Sequence, residues 1–227
     1  MGRLTNVKGL RLGFLESWDF NISTYSNKLS KLQNFEKYIM SLCNDFSYKN
    51  HYSDLFSFIV PKVKAHMLLD HFVIKVDIYD SNFLESDNSV LDQRLLETRL
   101  LFLESFILKS CTKISSMPVK VEFVFLKKDQ ISASLLSKYL EIKFNQGFSL
   151  MDIVSPLKNI LRTTRGLKGY RLDFSGRFTR RQRASFLSFK EGRVPFSTLS
   201  SKIDYSENSV VLKYGKCGFK VWLNKSL

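Results

Sequence analysis

The chain has 227 residues, of which 44% are hydrophobic and 25% are charged, a composition typical of a folded protein with one or two domains. This composition excludes a chain that is disordered throughout, and no apolar run approaches the roughly 18 consecutive residues that a membrane-spanning helix needs. Lysine and arginine together number 35 against 21 acidic residues, so the formal net charge is +14. An excess of this size predicts a polyanionic partner.

Apolar periodicity predicts alternating helices and strands in the first part of the chain. Apolar residues recur at helical spacing over residues 27–43 and 90–111. Apolar and polar residues alternate instead along residues 72–79 and 119–126, which predicts two strands.

Two helices and then a sheet are predicted in the second part. The helices span residues 132–144 and 149–165, and Pro156 should kink the second helix or mark a late start. About four strands follow, in the alternating stretches near 170–174, 184–190, 201–206, 209–214 and 218–223. This order of elements predicts an α+β fold in two domains.

Charge and glycine are distributed unevenly along the chain. Residues 151–227 contain 16 basic and 5 acidic residues, a net charge of +11, so most of the excess lies in the last third. Glycine is absent from residue 14 to residue 146. Tight turns with positive φ in that stretch therefore have to use Asn or Asp.

The densest basic segment runs from Lys158 to Arg193, where eleven basic residues face only Asp173 and Glu191. Arginine dominates it, and a planar guanidinium suits forked contacts with phosphate and stacking on bases. An inert solvated surface usually intersperses acidic residues. An anionic membrane surface calls for an amphipathic helix, whereas the cluster at 177–183 lies between two predicted strands. The segment therefore favours nucleic acid as the partner.

Several motifs resemble the small-subunit ribosomal protein S3 family. The C-terminal third carries GLKGY at 166–170, SGR at 175–177, EGRVPFSTL at 191–199, IDY at 203–205 and YGKCGFKVW at 214–222. At the other end of the chain, GLRLG at 9–13 followed by Trp18 resembles the opening segment of the same family. The strong similarity covers about residues 1–20 and 166–227.

The resemblance implies a domain plan and a set of RNA contacts. It implies an N-terminal tail at 1–26, a degenerate type II KH-like domain at 27–130, and a C-terminal domain at 131–227 with two helices on a mainly antiparallel four-stranded sheet. The basic side chains that we expect to contact RNA are Lys8, Arg11, Lys168, Arg171, Arg177, Arg180, Arg181, Arg183, Arg193, Lys216 and Lys220.

The sequence departs from the family pattern at two places, and these departures limit which properties of the family we expect in this chain. The KH loop is a Gly-x-x-Gly segment that lets the backbone approach phosphates. Asp87-Asn-Ser89 stands in its place, so we expect a KH-like scaffold without the RNA clamp. Residues 147–157, the helix associated in the family with unwinding mRNA, contain no Lys or Arg. That role is therefore not carried over, unless Arg162, Arg165 or the cluster at 180–183 substitutes.

The resemblance implies a structural constituent of the small ribosomal subunit, bound to rRNA in the head near the mRNA entrance. The implied partners are rRNA, incoming mRNA and the neighbouring head proteins S10 and S14. Twenty Phe but only ten Gly and four Pro indicate an AT-rich gene, and no presequence is evident. We therefore expect the mitochondrial matrix, with a plastid or the bacterial cytoplasm as alternatives. The alternative function is a free RNA-binding or RNA-processing factor built on the same domain.

No catalytic residue, cofactor or metal site is predicted. The histidines, His51, His66 and His71, lack the spacing of a metal-binding pair on one helical face, and Cys43, Cys111 and Cys217 are far apart. No nucleophile motif or phosphate-binding loop of an enzyme is present. Phe186 and Phe189 are expected to fill the core rather than to stack on bases.

Overall fold

The structure, a computed structural model, describes residues 5–21, 38, 41, 58–67, 71–80, 93–112, 118–126, 130–179 and 182–226. The chain divides into two compact units, one of residues 18–126 and the other of residues 1–17 together with 127–227. The helix predicted over 27–43, apart from two of its residues, and the turn at Asp87 to Ser89 lie outside the described residues.

The elements, in chain order, are α1 (Val7–Arg11), β1 (Phe20–Asn21), β2 (Phe58–Met67), β3 (Phe72–Asp80), α2 (Gln93–Thr112), β4 (Val119–Phe125), α3 (Ala133–Asn145), α4 (Leu150–Thr163), β5 (Leu167–Gly176), β6 (Ser185–Gly192), β7 (Lys202–Leu212) and β8 (Gly215–Lys225). None of the helices in the described part of the chain is long and apolar enough to cross a membrane.

The unit of residues 18–126 contains a sheet in the order β1, β2, β3, β4. β2 and β3 pair antiparallel, and β4 pairs parallel to β3 after the crossover through α2. Ile74, Val76 and Ile78 of β3 are buried together with Leu103 and Ile107 of α2. The predicted strands at 72–79 and 119–126 and the helix at 90–111 are thus present, with bounds that differ from the prediction by at most three residues.

β2 is a strand that the sequence pattern did not predict. It contains Pro61, which has no backbone N–H to donate to the ladder. The pairing with β3 shifts register between Ile59 and Lys62, so the proline lies at the irregularity. The interruption explains why periodicity alone did not indicate a strand in this segment.

The unit built on the C-terminal third is a four-stranded antiparallel sheet in the order β6, β5, β8, β7, with helices packed on it. This confirms the predicted α+β class and the four-stranded sheet with helices. β7 is one continuous strand, although the alternation predicted two stretches at 201–206 and 209–214. Phe144 of α3 packs against the rings of Phe174 and Phe219, with ring centroids 6.3 and 6.0 Å apart.

The two long helices of this unit, α3 and α4, begin at serine caps. The Ser132 hydroxyl accepts from the backbone N–H of Leu135 at 3.2 Å, which starts α3. Ser149 does the same for Asp152 at 3.4 Å and also donates to the Asp152 carboxylate at 2.6 Å, which starts α4. Pro156 lies inside α4, so it does not mark a late start of the helix.

The sheet is covered on part of its second face as well. Along β8, Phe219, Val221 and Leu223 face the helices, as the alternation predicted. Trp222 on the other side is nevertheless only 3% exposed. It packs with Val7 of α1 and Ile203 of β7, so the segment before residue 18 forms a second small core on this face.

Candidate nucleic-acid interface

The sheet face opposite α3 and α4, here called the outer face, carries three rows of side chains in register. The first row is Phe186, Ser175, Gly218 and Ser209. The second is Ser188, Asp173, Lys220 and Glu207. The third is Lys190, Arg171, Trp222 and Tyr205. Each row runs across β6, β5, β8 and β7 in that order.

One end of the sheet is strongly basic. There β5 leads into β6, with Gly176 paired to Ser185, and β7 turns into β8, with Leu212 paired to Gly215. The described basic residues of these two connections, here called the basic end, are Arg177, Arg183, Lys213 and Lys216. Arg180 and Arg181, which belong to the same connection in sequence, lie outside the described residues.

An arginine and a tyrosine hold the two connections of the basic end together. The guanidinium carbon of Arg177 lies 4.9 Å from the centre of the Tyr214 ring, and the thiol of Cys217 donates to the Arg177 carbonyl at 3.4 Å. Burial raises the pKa of this thiol. Arg183 and Lys216 are exposed. The predicted RNA contacts Arg177, Arg183 and Lys216 are therefore brought together.

Lys168 and Arg193 lie at the other end of the sheet, where both are exposed. The backbone N–H of Arg193 donates to the Lys168 carbonyl at 3.3 Å. The approach depends on the facing pair Gly169 and Gly192, because a Cβ on Gly169 would lie 2.5 Å from the Arg193 nitrogen. Two of the predicted contacts thus form a second, separate basic site.

Arg171 and Lys220 lie in the middle of the outer face and are paired with acids. Arg171 contacts the Asp173 carboxylate at 2.7 Å and lies 5.3 Å from the Trp222 ring. Asp173 is 5% exposed and also accepts from the Ser188 hydroxyl at 2.6 Å. Lys220 is 3.9 Å from Glu207. Arg171 therefore mainly stabilises the fold, whereas the more exposed Lys220 remains accessible to a ligand.

Arg11 lies inside the protein and does not face a ligand. Its side chain is 0% exposed. The guanidinium donates to Val7 O, Pro195 O, Phe196 O, Thr198 O, Ser201 O and Ser201 Oγ at distances from 2.6 to 3.2 Å. The expected RNA contact is therefore replaced by an internal one, because the donors are directed at the 195–201 segment. Lys8, on the same short helix, is half-buried.

A network that the sequence did not predict joins α4 to the sheet. Arg162 donates from Nε to both oxygens of Glu191 at 2.8 and 3.0 Å, and the Tyr170 hydroxyl donates to the same carboxylate at 2.7 Å. The bonds from Tyr170 and Arg162 lower the pKa of Glu191. Lys158 lies 4.4 Å above the Phe189 ring. Both cationic side chains of α4 therefore contact the sheet of their own domain.

Phe186 differs from its expected position in the core, since it is 62% exposed on the outer face. Phe189 does pack inward, with its ring 5.9 Å from that of Phe174. The period of two explains the difference, because residues 186 and 189 on one strand face opposite sides.

The histidines that were considered as ligands do not assemble a metal site in the described part of the chain. His66 lies on β2 and His71 directly precedes β3. No group of three or more His, Cys, Asp or Glu residues that could hold a metal is found among the residues described.

Comparisons with known proteins identify the unit that carries this surface. Residues 153–223 match the family described as ribosomal protein S3, C-terminal domain. The small ribosomal subunit protein uS3m of Acanthamoeba castellanii is 32% identical over 125 residues, which cover 53% of this chain and 42% of that protein. The chain therefore aligns with less than half the length of this relative.

Two further relatives align over nearly the whole chain. Small ribosomal subunit protein uS3 of Vesicomyosocius okutanii is 26% identical over 99% of this chain and 89% of its own length. Small ribosomal subunit protein uS3c of Euglena longa is 26% identical over 99% of this chain and all of its own length. The domain match and these alignments show that the chain is similar to small-subunit ribosomal protein S3 along nearly its whole length, and that its C-terminal part carries the domain of that family.

Proposed function

We propose that the protein is a structural constituent of the small subunit of an organellar ribosome and that it binds rRNA through its C-terminal unit. The observation that carries this proposal is the basic end, where Arg177, Arg183, Lys213 and Lys216 meet at two adjacent strand connections. Neither connection contains an acidic residue in its sequence. Cations grouped in this way suit the phosphates of a folded RNA.

The family supports the ribosomal assignment, and two relatives carry names of organellar forms, uS3m and uS3c. The composition of the chain favours the mitochondrion between these two. In this setting the protein lies in the head near the mRNA entrance, with rRNA as its main partner and S10 and S14 as neighbours. Residues 51–100, which carry a net negative charge, suit contacts with proteins better than contacts with RNA.

We assign a KH-like role without RNA clamping to the unit of residues 18–126. The parallel pairing of β3 and β4 around α2 supports a KH-like arrangement. The segment that would form the clamp contains Asp87 and no glycine, and an acidic turn repels phosphate. This unit therefore serves as a scaffold for assembly.

Passive contact with mRNA is the role that we propose for α4. Its first half, up to Leu157, contains no Lys or Arg. In its second half Lys158 lies over Phe189 and Arg162 is bonded to Glu191. Both cations of α4 contact side chains of their own domain, so we assign no unwinding role to this helix.

Sedimentation and RNA binding test the proposal. The tagged protein should migrate with small subunits in a low-salt gradient, and purified protein should bind a small-subunit head rRNA fragment with an affinity that falls steeply with salt. Replacing Arg180, Arg181 and Arg183 with Ala should reduce the salt slope by about one for each phosphate that these arginines neutralise. Protein that stays at the top of the gradient while binding RNA would instead favour a free RNA-binding factor.

A further inference from the structure

The outer face contains a cleft of about 390 Å³ next to the basic end. Its position follows from the strand register. The first row of the outer face, next to the basic end, places two small residues, Ser175 and Gly218, between Phe186 on β6 and Ser209 on β7. A Cβ on Gly218 would lie 3.3 Å from the hydroxyl of Ser175, which lines the cleft, so the glycine leaves space beside this serine. The residues that line the cleft are Phe186 and Ser175 of the first row, Asp173, Lys220 and Glu207 of the second, Arg171, Trp222 and Tyr205 of the third, and Thr5, Asn6 and Val7 at the start of α1.

The aromatic wall is accessible. Phe186 is 62% exposed, although its strand pairs with β5 along its whole length. An exposed phenylalanine beside a hollow offers a flat face on which a planar ligand can stack. Bases of single-stranded RNA stack on such side chains, because every base has a π face.

The floor of the cleft is polar and rigid. Asp173 is held by Arg171 and by Ser188, and the guanidinium carbon of Arg171 lies 5.3 Å from the centre of the Trp222 ring and 5.6 Å from that of the Phe196 ring. Arg171 donates to Asp173 from Nε and Nη2, and both residues line the cleft. Groups fixed in this way can bond to the edge of a base without losing side-chain freedom on binding.

The charges around the cleft favour a phosphate-bearing ligand over an acidic or neutral peptide. The two acids of the floor are each paired, Asp173 with Arg171 and Glu207 with Lys220. Lys216, two residues before Gly218 on β8, is exposed on the same face, one pair of residues beyond the first row toward the basic end. The charge left over at this end of the cleft is therefore positive.

We propose that the cleft binds one unpaired nucleotide of RNA, with its base stacked on Phe186 and its phosphate near Lys216. This site rests on the proposed function. It adds that the outer face contacts a single-stranded part of the RNA rather than the backbone of a duplex. Duplex RNA presents no free base face to such a hollow.

The test measures binding of a single-stranded oligoribonucleotide and of a duplex of the same sequence to the full chain. Phe186→Ala should weaken single-strand binding at least about fivefold, the lower limit for loss of one stacked base. It should leave duplex binding unchanged, and Phe186→Trp should preserve single-strand binding. Phe148→Ala is the matched control, because Phe148 is 50% exposed on the loop between α3 and α4 and should have no effect.

The remaining outcomes separate this site from the broader proposal. If wild-type protein binds RNA in a salt-dependent way and Phe186→Ala binds both RNAs as well as wild type, the nucleotide site is overturned and rRNA binding stands. If wild type shows no salt-dependent RNA binding, both fail. If Phe186→Ala retains RNA binding but no longer joins small subunits, the occupant is a protein and the nucleotide site is overturned.

Discussion

The Nη2 atom of Arg11 lies 2.6 Å from the carbonyl oxygen of Thr198, although 187 residues separate them in sequence. The bond is one of several through which a buried guanidinium holds the turn that leads into β7. Burial lowers the pKa of Arg11, with Glu16 opposing the shift, yet a guanidinium stays protonated in proteins. The carbonyl groups around it supply the partners that a buried cation requires.

Replacing Arg11 should therefore destabilise the C-terminal unit. Arg11→Met should lower the free energy of unfolding by about 3 kcal/mol, because it leaves several buried carbonyl groups without donors. Arg11→Lys should also be destabilising, since an ammonium cannot bond to the same fork of acceptors. Urea denaturation measures both effects. Lys202→Ala, at an exposed position at the start of β7, is the control, and an Arg11→Met midpoint equal to that of this control would contradict the assigned role.

Gly169 and Gly192 provide a second prediction about the fold. Gly169→Ala should lower the free energy of unfolding by about 2 kcal/mol or more, because the new methyl group overlaps the backbone of Arg193. Gly192→Ala should behave similarly, since Gly192 has φ of 70° and abuts the Lys168 carbonyl.

The matched control for Gly192→Ala is Gly147→Ala, because both glycines have a positive φ. Gly147 has φ of 89° but no atom within 4 Å of its Cβ position, so the variant isolates the conformational cost alone. Thermal unfolding should rank Gly192→Ala below Gly147→Ala in stability. The reverse order would show that the two strands can separate at this point without loss.

The elements that could be predicted from the sequence are those whose pattern is local. The alternation at Tyr170, Leu172 and Phe174 identified β5, and all three are buried. β2 was missed because Pro61 interrupts it, and its pairing depends on a partner strand that local periodicity does not contain. Strand pairing compensates for the missing donor, which is a tertiary effect.

The candidate site was predictable in location but less so in its individual contacts. The concentration of arginine after residue 158 correctly indicated the unit that carries the basic end. Arg11 could not be separated from the other arginines, because its partners at 195–201 are brought close only by folding. Phe186 differs from Phe189 by three positions on one strand, so only knowledge of the strand's bounds shows which ring faces outward.

The contact between Tyr170 and Glu191 predicts a pH dependence of stability in alkali. Burial, followed by the hydrogen bond to Glu191, raises the pKa of Tyr170 from 10.0 to about 12. Between pH 10 and about 12 the Tyr170 hydroxyl therefore keeps its proton in the folded state, whereas the unfolded chain has released it. The stabilisation is complete below pH 10 and is lost as the pH rises through about 12.

Tyr170→Phe should accordingly lose stability less steeply between pH 10 and 12 than wild type does, by up to about 1.4 kcal/mol per pH unit. Urea unfolding at several pH values in this window measures the slope. Glu191→Gln should lower the pKa of Tyr170. The phenolate absorbance measures this pKa, once the titration of the Tyr170→Phe variant has been subtracted to remove the other tyrosines. Parallel stability slopes for wild type and Tyr170→Phe would show that the phenol is not protected by folding.

The basic end predicts which charges contribute to RNA binding. Arg183 and Lys216 are both exposed, and they lie on two connections that Arg177 and Tyr214 hold together. Replacing Arg183 and Lys216 with Ala should reduce the slope of log affinity against log salt for the rRNA fragment by about one for each phosphate that the two side chains neutralise. The reduction should be the same for RNAs of different sequence, since phosphate contacts carry no base information.

A double variant in the other unit separates this effect from the loss of net charge. Lys75→Ala combined with Lys120→Ala also removes two positive charges. In the wild type, Lys75 on β3 and Lys120 on β4 each form an ion pair with Glu122 at 3.4 Å. Long-range attraction depends on net charge and is screened beyond about 10 Å at 0.1 M salt, whereas counterion release requires direct contact. The control should therefore slow association at low salt without changing the equilibrium slope. Equal slopes for the two double variants would mean that the basic end acts only through its charge and does not touch the RNA.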